Sequence, residues 1–286
     1  MTFAFLQAER ATYTVRAMCR ALGVSPSGFY AWQGRPDCAR LQTDRRLRLE
    51  LRAAHAESGG SYGSPRLQRA LLAQGHQVGR RRVQRLMRAA QLRGRPRRRF
   101  RATTVVDPGA GAAPNHLAQR FTRRRRNDVW VADISALPTR QGWLYLAVQL
   151  DLYSRRIVGW ALDTTLETRL VMTAWDRAVA RRGTAPRMHH SDRGVQYTSA
   201  AYQAALRRHG VRCSMSARGN CYDNAVVESF FRTLKSDLDY RIWATHPEAA
   251  AAVAAYIDGF YNTRRLHSTL DYRSPAQFEQ RLRTAR

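Results

Sequence analysis

Three carboxylates between residues 128 and 235 sit in sequence contexts that could build metal-dependent phosphoryl transfer. Asp133 lies in Val129-Trp130-Val131-Ala132-Asp133-Ile134, an apolar run rich in β-branched and aromatic residues. That run reads as a buried strand, where a charge needs a reason. Asp192 follows Met188-His189-His190-Ser191 and precedes Arg193-Gly194, so it reads as a strand end entering a turn. Glu228 stands among Val227, Phe230, Phe231 and Leu234, which recur at helical spacing. If the fold brings these elements together, the three oxygen ligands suit a hard cation such as magnesium, whose remaining shell is filled by water and phosphate oxygens. Two such ions activate an attacking oxygen and stabilise the leaving one in displacement at phosphorus.

The surrounding pattern supplies elements able to position those groups. Strand-like runs cover 129–137, 143–151 and 156–163, with connections short enough to imply an antiparallel meander. A helix over about 167–182, a strand before Asp192, a helix over about 198–208 and a strand at 211–215 give an α/β order. The helix of Glu228 continues to about residue 240, and an alanine-rich helix covers about 247–261. The N-terminal side reads as helical. Two short helical patterns flank Gly23, with Ser25 as N-cap and Pro26 at the first helical position, in a helix-turn-helix-like segment spanning 1–40. As a base-reading unit or a plain helical hairpin it is equally consistent with the pattern. A helical domain follows over 41–92. In its last helix, about 80–91, Val83, Leu86, Met87 and Ala90 form an apolar stripe, and Arg80, Arg81, Arg82, Arg85 and Arg88 occupy much of the rest. Those cations suit phosphate oxygens, with a solvated surface as the alternative. Residues 93–127 lose apolar periodicity and carry Arg97-Arg98-Arg99 and Arg123-Arg124-Arg125-Arg126, which reads as a basic linker able to follow a DNA backbone.

Composition points to a polyanionic partner. The 286 residues carry 49 Lys and Arg against 21 Asp and Glu, a net charge of +28, and Lys235 is the only lysine. The four cysteines form no CxxC pair and the histidines lack zinc-finger spacing, so neither a disulfide framework nor a zinc site is indicated. Without a signal-peptide pattern or a membrane-length apolar run, a cytoplasmic, DNA-associated protein with no membrane partner is expected.

The chain also resembles a known family over nearly its whole length. Tyr62-Gly63-Ser64-Pro65-Arg66, Gly142-Trp143-Leu144-Tyr145-Leu146-Ala147-Val148 and Asp151-Leu152-Tyr153-Ser154-Arg155-Arg156-Ile157-Val158-Gly159-Trp160 are similar to stretches of the second-reading-frame transposase of bacterial IS-three-family insertion sequences. His190-Ser191-Asp192-Arg193-Gly194, Asn220-Cys221-Tyr222-Asp223-Asn224-Ala225 and a tail pattern of Tyr261-Asn262, Arg265, His267, Leu270 and Ser274-Pro275 follow in the family's order. The resemblance implies a ribonuclease H-like core over 128–240, a mixed sheet with flanking helices, followed by a C-terminal helical segment over 241–286. It places the family's catalytic triad on Asp133, Asp192 and Glu228 as metal ligands, and its following basic residue on Lys235, which would hold a phosphate. Two departures stand out: Ala132, where threonine is usual, and Asp271, where glycine is usual.

The implied reaction is cleavage at transposon ends and strand transfer by the freed 3′-hydroxyl, with two magnesium ions, manganese as a substitute, and double-stranded terminal-repeat and target DNA as partners. A homo-oligomer on DNA is expected. Family members commonly arise by frameshifting from an upstream frame that adds a DNA-binding segment and a coiled coil, so an upstream-frame protein or fusion is an implied partner. Two other classes stay open: a transposase-derived repressor that uses residues 1–127 without metal, and a ribonuclease H-like nuclease that stops after hydrolysis. Among other carboxylates, Asp151 reads as a turn cap or a partner of Arg155 or Arg156, and Asp223 as a helix-start charge. His267 reads as a structural or phosphate-contacting residue rather than a catalytic one.

Overall fold

The computed structural model describes residues 2–95, 113–217 and 221–284. Arg97-Arg98-Arg99 and Asn220 lie outside them. The chain divides into two compact units, 1–51 and 52–286.

The first unit is helical. Helices α1 (Thr2–Glu9), α2 (Val15–Ala21) and α3 (Pro26–Gln33) lead into α4 (Ala39–Glu57), which continues into the second unit. Ser25 caps α3 by accepting from the Gly28 amide at 3.0 Å, and Gly23 turns the chain at φ 65°, a conformation glycine reaches without steric cost. Leu6, Met18, Cys19 and Phe29 form the small core. α1 has no counterpart in the sequence reading, since its apolar residues are not gathered on one face.

The second unit opens with the pair α5 (Ser64–Ala73) and α6 (Arg80–Ala89), whose buried faces carry Leu67 and Leu71 on one helix and Val83, Leu86 and Met87 on the other. A five-stranded sheet follows, in the order β3-β2-β1-β4-β5. Its strands are β1 (Val129–Thr139), β2 (Gly142–Asp151), β3 (Ile157–Asp163), β4 (Met188–Ser191) and β5 (Arg212–Met215). The first three form an antiparallel meander; β4 runs parallel to β1, and β5 parallel to β4.

Helices cover both faces. α7 (Thr168–Arg182) and α9 (Ala200–Arg208) pack over Trp130, Ala132, Ala147 and Val158. On the other face α10 (Ala225–Asp237), α11 (His246–Ala254) and the π-helical turn Ala255–Tyr261 cover Val129, Val131, Leu146 and Val148. The alternation of neighbours along β1 is the period of two that an apolar strand buried on both faces hides from a sequence reading. Gly159 lets β3 approach α7 closely: a Cβ there would run into the Ala174 carbonyl oxygen. Between β4 and α9 a short helix, α8 (Val195–Thr198), fills the turn after Asp192.

The proposed linker is corrected in its second half. Leu117 is fully buried in the core, and the amides of His116 and Leu117 donate to Ser214 Oγ at 3.0 and 3.3 Å. Scattered apolar residues among arginines give no period to read, yet Leu117, with Phe121 packed beside it, ties the segment to the core. A fragment ending at residue 127 therefore removes part of the core.

The C-terminal segment is bound to the sheet by buried charge. Helix α12 (Pro275–Thr284) carries Glu279, which accepts from Ser154 Oγ, Arg156 and Arg182. Arg182 also reaches the fully buried Asp151 at 3.1 Å. Asp151 caps its turn as expected, accepting from the Tyr153 amide at 2.9 Å, but its ion-pair partner is Arg182 from the last turn of α7 and not Arg155 or Arg156. Burial pushes the Asp151 carboxyl up to about 6, against the Asn127 amide, the Arg182 charge and the Tyr153 amide. For Glu279 the balance is reversed: burial raises it, but Arg182, Ser154 and Arg156 hold it down to about 2. A carboxyl held below its usual value contributes stability above that value and loses it as pH falls through the lowered one. Glu279→Gln is therefore expected to cost up to about 3 kcal/mol at neutral pH and to remove the loss of stability that the wild type undergoes between pH about 4.5 and about 2, measured by denaturant titrations across that range.

Candidate active site

Asp133 and Asp192 are brought together by strand register. β1 and β4 pair in parallel with Val131 beside His190. Asp133 lies two residues beyond Val131 on β1 and Asp192 just past the end of β4, and the Asp192 charge is felt at Asp133, so the two carboxyls are neighbours. Each carboxyl is half-buried and takes one nearby amide: Ile134 N donates to Asp133 Oδ1 at 2.8 Å, and Gly194 N to Asp192 Oδ1 at 3.0 Å. The latter is an Asx turn, which is why an aspartate suits the exit from β4.

Their proximity has an electrostatic cost. Burial and then the Asp192 charge push Asp133 well above the usual carboxylate range; Glu228 adds to this, while the Ile134 amide and Lys235 oppose it. Burial also raises Asp192, against the Gly194 amide, and raises Glu228, against Arg232. Burial lowers Lys235, and the Asp133 charge partly restores it. A buried pair of like charges in this state needs a cation or a proton to neutralise it. The all-oxygen donor set and its shortage of positive charge fit magnesium.

Helix α10 brings the other two groups. Its apolar side, Val227, Phe230, Phe231 and Leu234, is buried in the sheet core, and Phe230 meets Tyr261 edge-on at 4.8 Å between centroids. At its start Asn224 Nδ2 donates to the Ala132 carbonyl at 3.1 Å, tying the helix to the residue next to Asp133. At its end Arg95 donates to the carbonyls of Ser236 at 3.0 Å and Asp237 at 2.6 Å, a cation at the negative pole of the helix. Glu228 and Lys235, two turns apart, share one side. Among the described residues no three His, Cys, Asp or Glu side chains converge closely enough to share an ion, although the Glu228 charge acts on Asp133. Of the two neighbouring carboxylates, Asp192 acts more strongly on Asp133 than Glu228 does.

The remaining polar residues fall outside this centre. Asp223 accepts from Ala217 N at 3.0 Å and Gln119 Nε2 at 3.2 Å, so it fastens loops rather than serving only the helix start. His189 is buried, 2.9 Å from the Tyr202 hydroxyl, and burial drives its pKa down to about 3. His190 lies 2.9 Å from Ser214 Oγ and is lowered by burial to about 4. His267 packs edge-on against Tyr261 at 4.9 Å and is lowered to about 3 by burial and by Arg265, Arg66 and Arg155, which makes it a neutral structural group among arginines. On α6, Arg80, Arg81, Arg85 and Arg88 are exposed and Arg82 is half-buried. Ala132, the departure from threonine, points to the α7 face, away from the carboxylates. Asp271, the departure from glycine, sits at φ 52°, the left-handed region that glycine reaches freely and aspartate tolerates.

Two neighbours of this centre escaped the sequence reading, and a third, Asn224, stood in the family-matching stretch ending at Ala225 without a role of its own. Arg95, at the end of α10, has no periodic or compositional signal. Asp237, paired with Arg265 at 2.9 Å, is legible only as a charge at the end of a helix.

A mixed sheet of this order, with a half-buried carboxylate pair on its central strands, defines a ribonuclease H-like core of the integrase type, the scaffold of polynucleotidyl transferases. Residues 123–221 and 209–275 match models of the integrase core domain, and residues 42–100 match an HTH-like domain. The transposase InsF of insertion sequence IS3A from Escherichia coli K12 is 39% identical, over 98% of this chain and 99% of its own. A 31 kDa protein of insertion element IS600 from Shigella sonnei, described as uncharacterized, is 41% identical over 92% of this chain and 98% of its own. Among solved structures, the HTLV-2 integrase catalytic core domain in complex with magnesium has 15% identity and a TM-score of 0.42, covering 53% of this chain and 95% of its own. The chain belongs to the IS3 family of insertion-sequence transposases. It is a DNA transposase, which decides between that activity and the repressor and nuclease alternatives. Among the described residues no helix is long and apolar enough to cross a membrane.

Asn224→Ala is expected to leave the Ala132 carbonyl unpaired and cost about 1–3 kcal/mol in a denaturant titration, because a buried acceptor without a partner carries its full desolvation penalty.

Proposed function

We propose that Asp133, Asp192 and Glu228 are the catalytic metal ligands of this transposase and that Lys235 holds a DNA phosphate beside them. Two observations support this reading: β1 and β4 pair in parallel just before Asp133 and Asp192, and the charges of Asp192, Glu228 and Lys235 act on Asp133. When bound, two magnesium ions, or manganese in their place, supply an activated attacking oxygen and neutralise charge at the leaving oxygen. The carboxylates hold that charge in a fixed position, and Lys235 orients the scissile phosphate as a point charge. Water forms the new bond to phosphorus at the transposon end while the bond to the 3′ oxygen breaks, and that oxygen leaves with a proton as a 3′-hydroxyl. The hydroxyl then attacks a second phosphodiester, breaking one phosphorus–oxygen bond for the one it forms, so no external energy source is required. On the family pattern the two ends join first, as a circle that later inserts into target DNA.

The exposed arginines Arg80, Arg81, Arg85 and Arg88, with Arg82, supply phosphate contacts from α6. The protein works as a homo-oligomer on terminal-repeat and target DNA, alone or joined to an upstream-frame product, within the bacterial cytoplasm.

Asp133→Asn, Asp192→Asn and Glu228→Gln are each expected to abolish cleavage and joining of end DNA while leaving DNA affinity intact. Substantial magnesium-dependent joining by any of the three removes that residue from the set. For Lys235→Ala, affinity for end DNA across a salt series is expected to fall with a slope lower by about one, as for one lost phosphate contact, with metal binding retained. An unchanged slope together with unchanged joining returns Lys235 to a structural role.

A further inference from the structure

Residues 52–95 dock on the C-terminal segment through paired backbone and side-chain bonds. The Tyr62 hydroxyl donates to the Arg264 carbonyl at 3.3 Å and accepts from Leu266 N at 2.8 Å, and Arg66 Nε donates to the Leu266 carbonyl at 2.8 Å. Beside this seam lies a cavity of about 520 Å³, walled by α5, α6, the segment ending at Arg95 and the 3₁₀ turn Ser268–Leu270 with Tyr272.

The chemistry of its wall is one-sided. Three arginines, Arg66, Arg88 and Arg95, line it, with hydroxyl groups from Ser64, Ser268 and Tyr272 and no carboxylate among the described lining residues. Asp239, an exposed residue 3.9 Å from Arg95, lies outside the wall. Arg66 and Arg95 also bond backbone carbonyls, which holds them at the wall, and the planar donor forks of the three guanidinium groups match phosphate oxygens. The volume falls in the range of ligand-holding pockets, about 300–1,000 Å³, and exceeds what one phosphate needs. Tyr272 is fixed there by a left-handed turn, φ 57°, with the Arg69 guanidinium 5.1 Å from its ring centre. The same Arg95 is hydrogen-bonded to the last carbonyls of α10, so the cavity abuts the helix that carries Glu228 and Lys235.

We propose that this cleft between α5–α6 and the C-terminal turn is a DNA-backbone site, which seats consecutive phosphates of one strand on Arg66, Arg88 and Arg95. It uses the activity shared by the family and is independent of the carboxylate assignment. A strand held there lies against the end of α10, so the cleft joins the HTH-like domain and the catalytic core into one continuous DNA track. Contacts of this kind fix register without reading bases, so affinity from the cleft is independent of sequence.

Ser268 is exposed at the mouth and can be changed without disturbing the core. The test is fluorescence anisotropy of the full-length protein with a labelled terminal-repeat duplex and a scrambled duplex of equal length, each over a salt series. Ser268→Glu is expected to weaken both duplexes about tenfold and lower the salt slope by about one; Ser268→Arg is expected to strengthen both and raise the slope by about one. Thr184→Glu, on the exposed turn after α7, is the control for general charge and is expected to leave the slope near that of the wild type. Equal losses for Thr184→Glu and Ser268→Glu overturn the proposal, as do slopes for both Ser268 variants that match the wild type. If thermal melts show Ser268→Glu misfolded, Ser268→Arg decides alone, and an unchanged slope there is fatal to the site. Magnesium-dependent joining by the wild type is followed in parallel: failure to join bears on the carboxylates and leaves the binding result standing.

Discussion

The repulsion between Asp133 on β1 and Asp192 just beyond its parallel neighbour β4 is the constraint on which the rest of the core depends. Left to itself, such a pair separates or takes up a proton, since burial and like charge both disfavour ionisation. The register of β1 against β4 forbids separation. The Ile134 and Gly194 amides offset part of the cost but leave Asp133 well above the normal range, so the site is organised to accept positive charge from outside the chain. The sheet supplies the rigidity that this needs, because β1 is central, paired on both sides and covered by helices on both faces.

Helix α10 is the second half of the same arrangement. Its apolar residues fix rotation about its axis, which decides that Glu228 and Lys235 turn toward Asp133. Asn224 and Arg95 fix its ends. Because Arg95 belongs to the segment that follows α6, the position of α10 is tied to the domain expected to grip DNA. The tie is doubled by Arg265, which bonds Asp237 at the end of α10 and follows the seam where Tyr62 and Arg66 dock. Two sequence patterns about two hundred residues apart, around Tyr62 and around Arg265, are thus parts of one interface.

The C-terminal segment closes this arrangement from below. Arg182 stands between Asp151 and Glu279, two carboxylates whose pKa values burial and pairing drive in opposite directions, to about 6 and about 2. A buried arginine of this kind is weak as a source of net stability but strict about geometry, because removing either partner leaves a charge unpaired. It holds α12 against the ends of β2 and α7, and with it the turn that carries Ser268 and Tyr272.

The sequence by itself determined the elements and the chemistry. Strands of alternating or continuous apolar residues, the capped helix after Ser25 and the α/β order were legible because they rest on local spacing, and the run around Asp133 marked a charge in an apolar strand. Matching stretches in family order then named the class. What only the tertiary structure decided was every relation that local spacing does not encode: that the charges of Asp192 and Glu228 reach Asp133, that Asp151 takes Arg182 as its ion-pair partner, and that Leu117 and Phe121 pack an apparent linker onto the core. These depend on which strands become neighbours and on where a long arginine reaches, and both are set by the packing of the whole sheet.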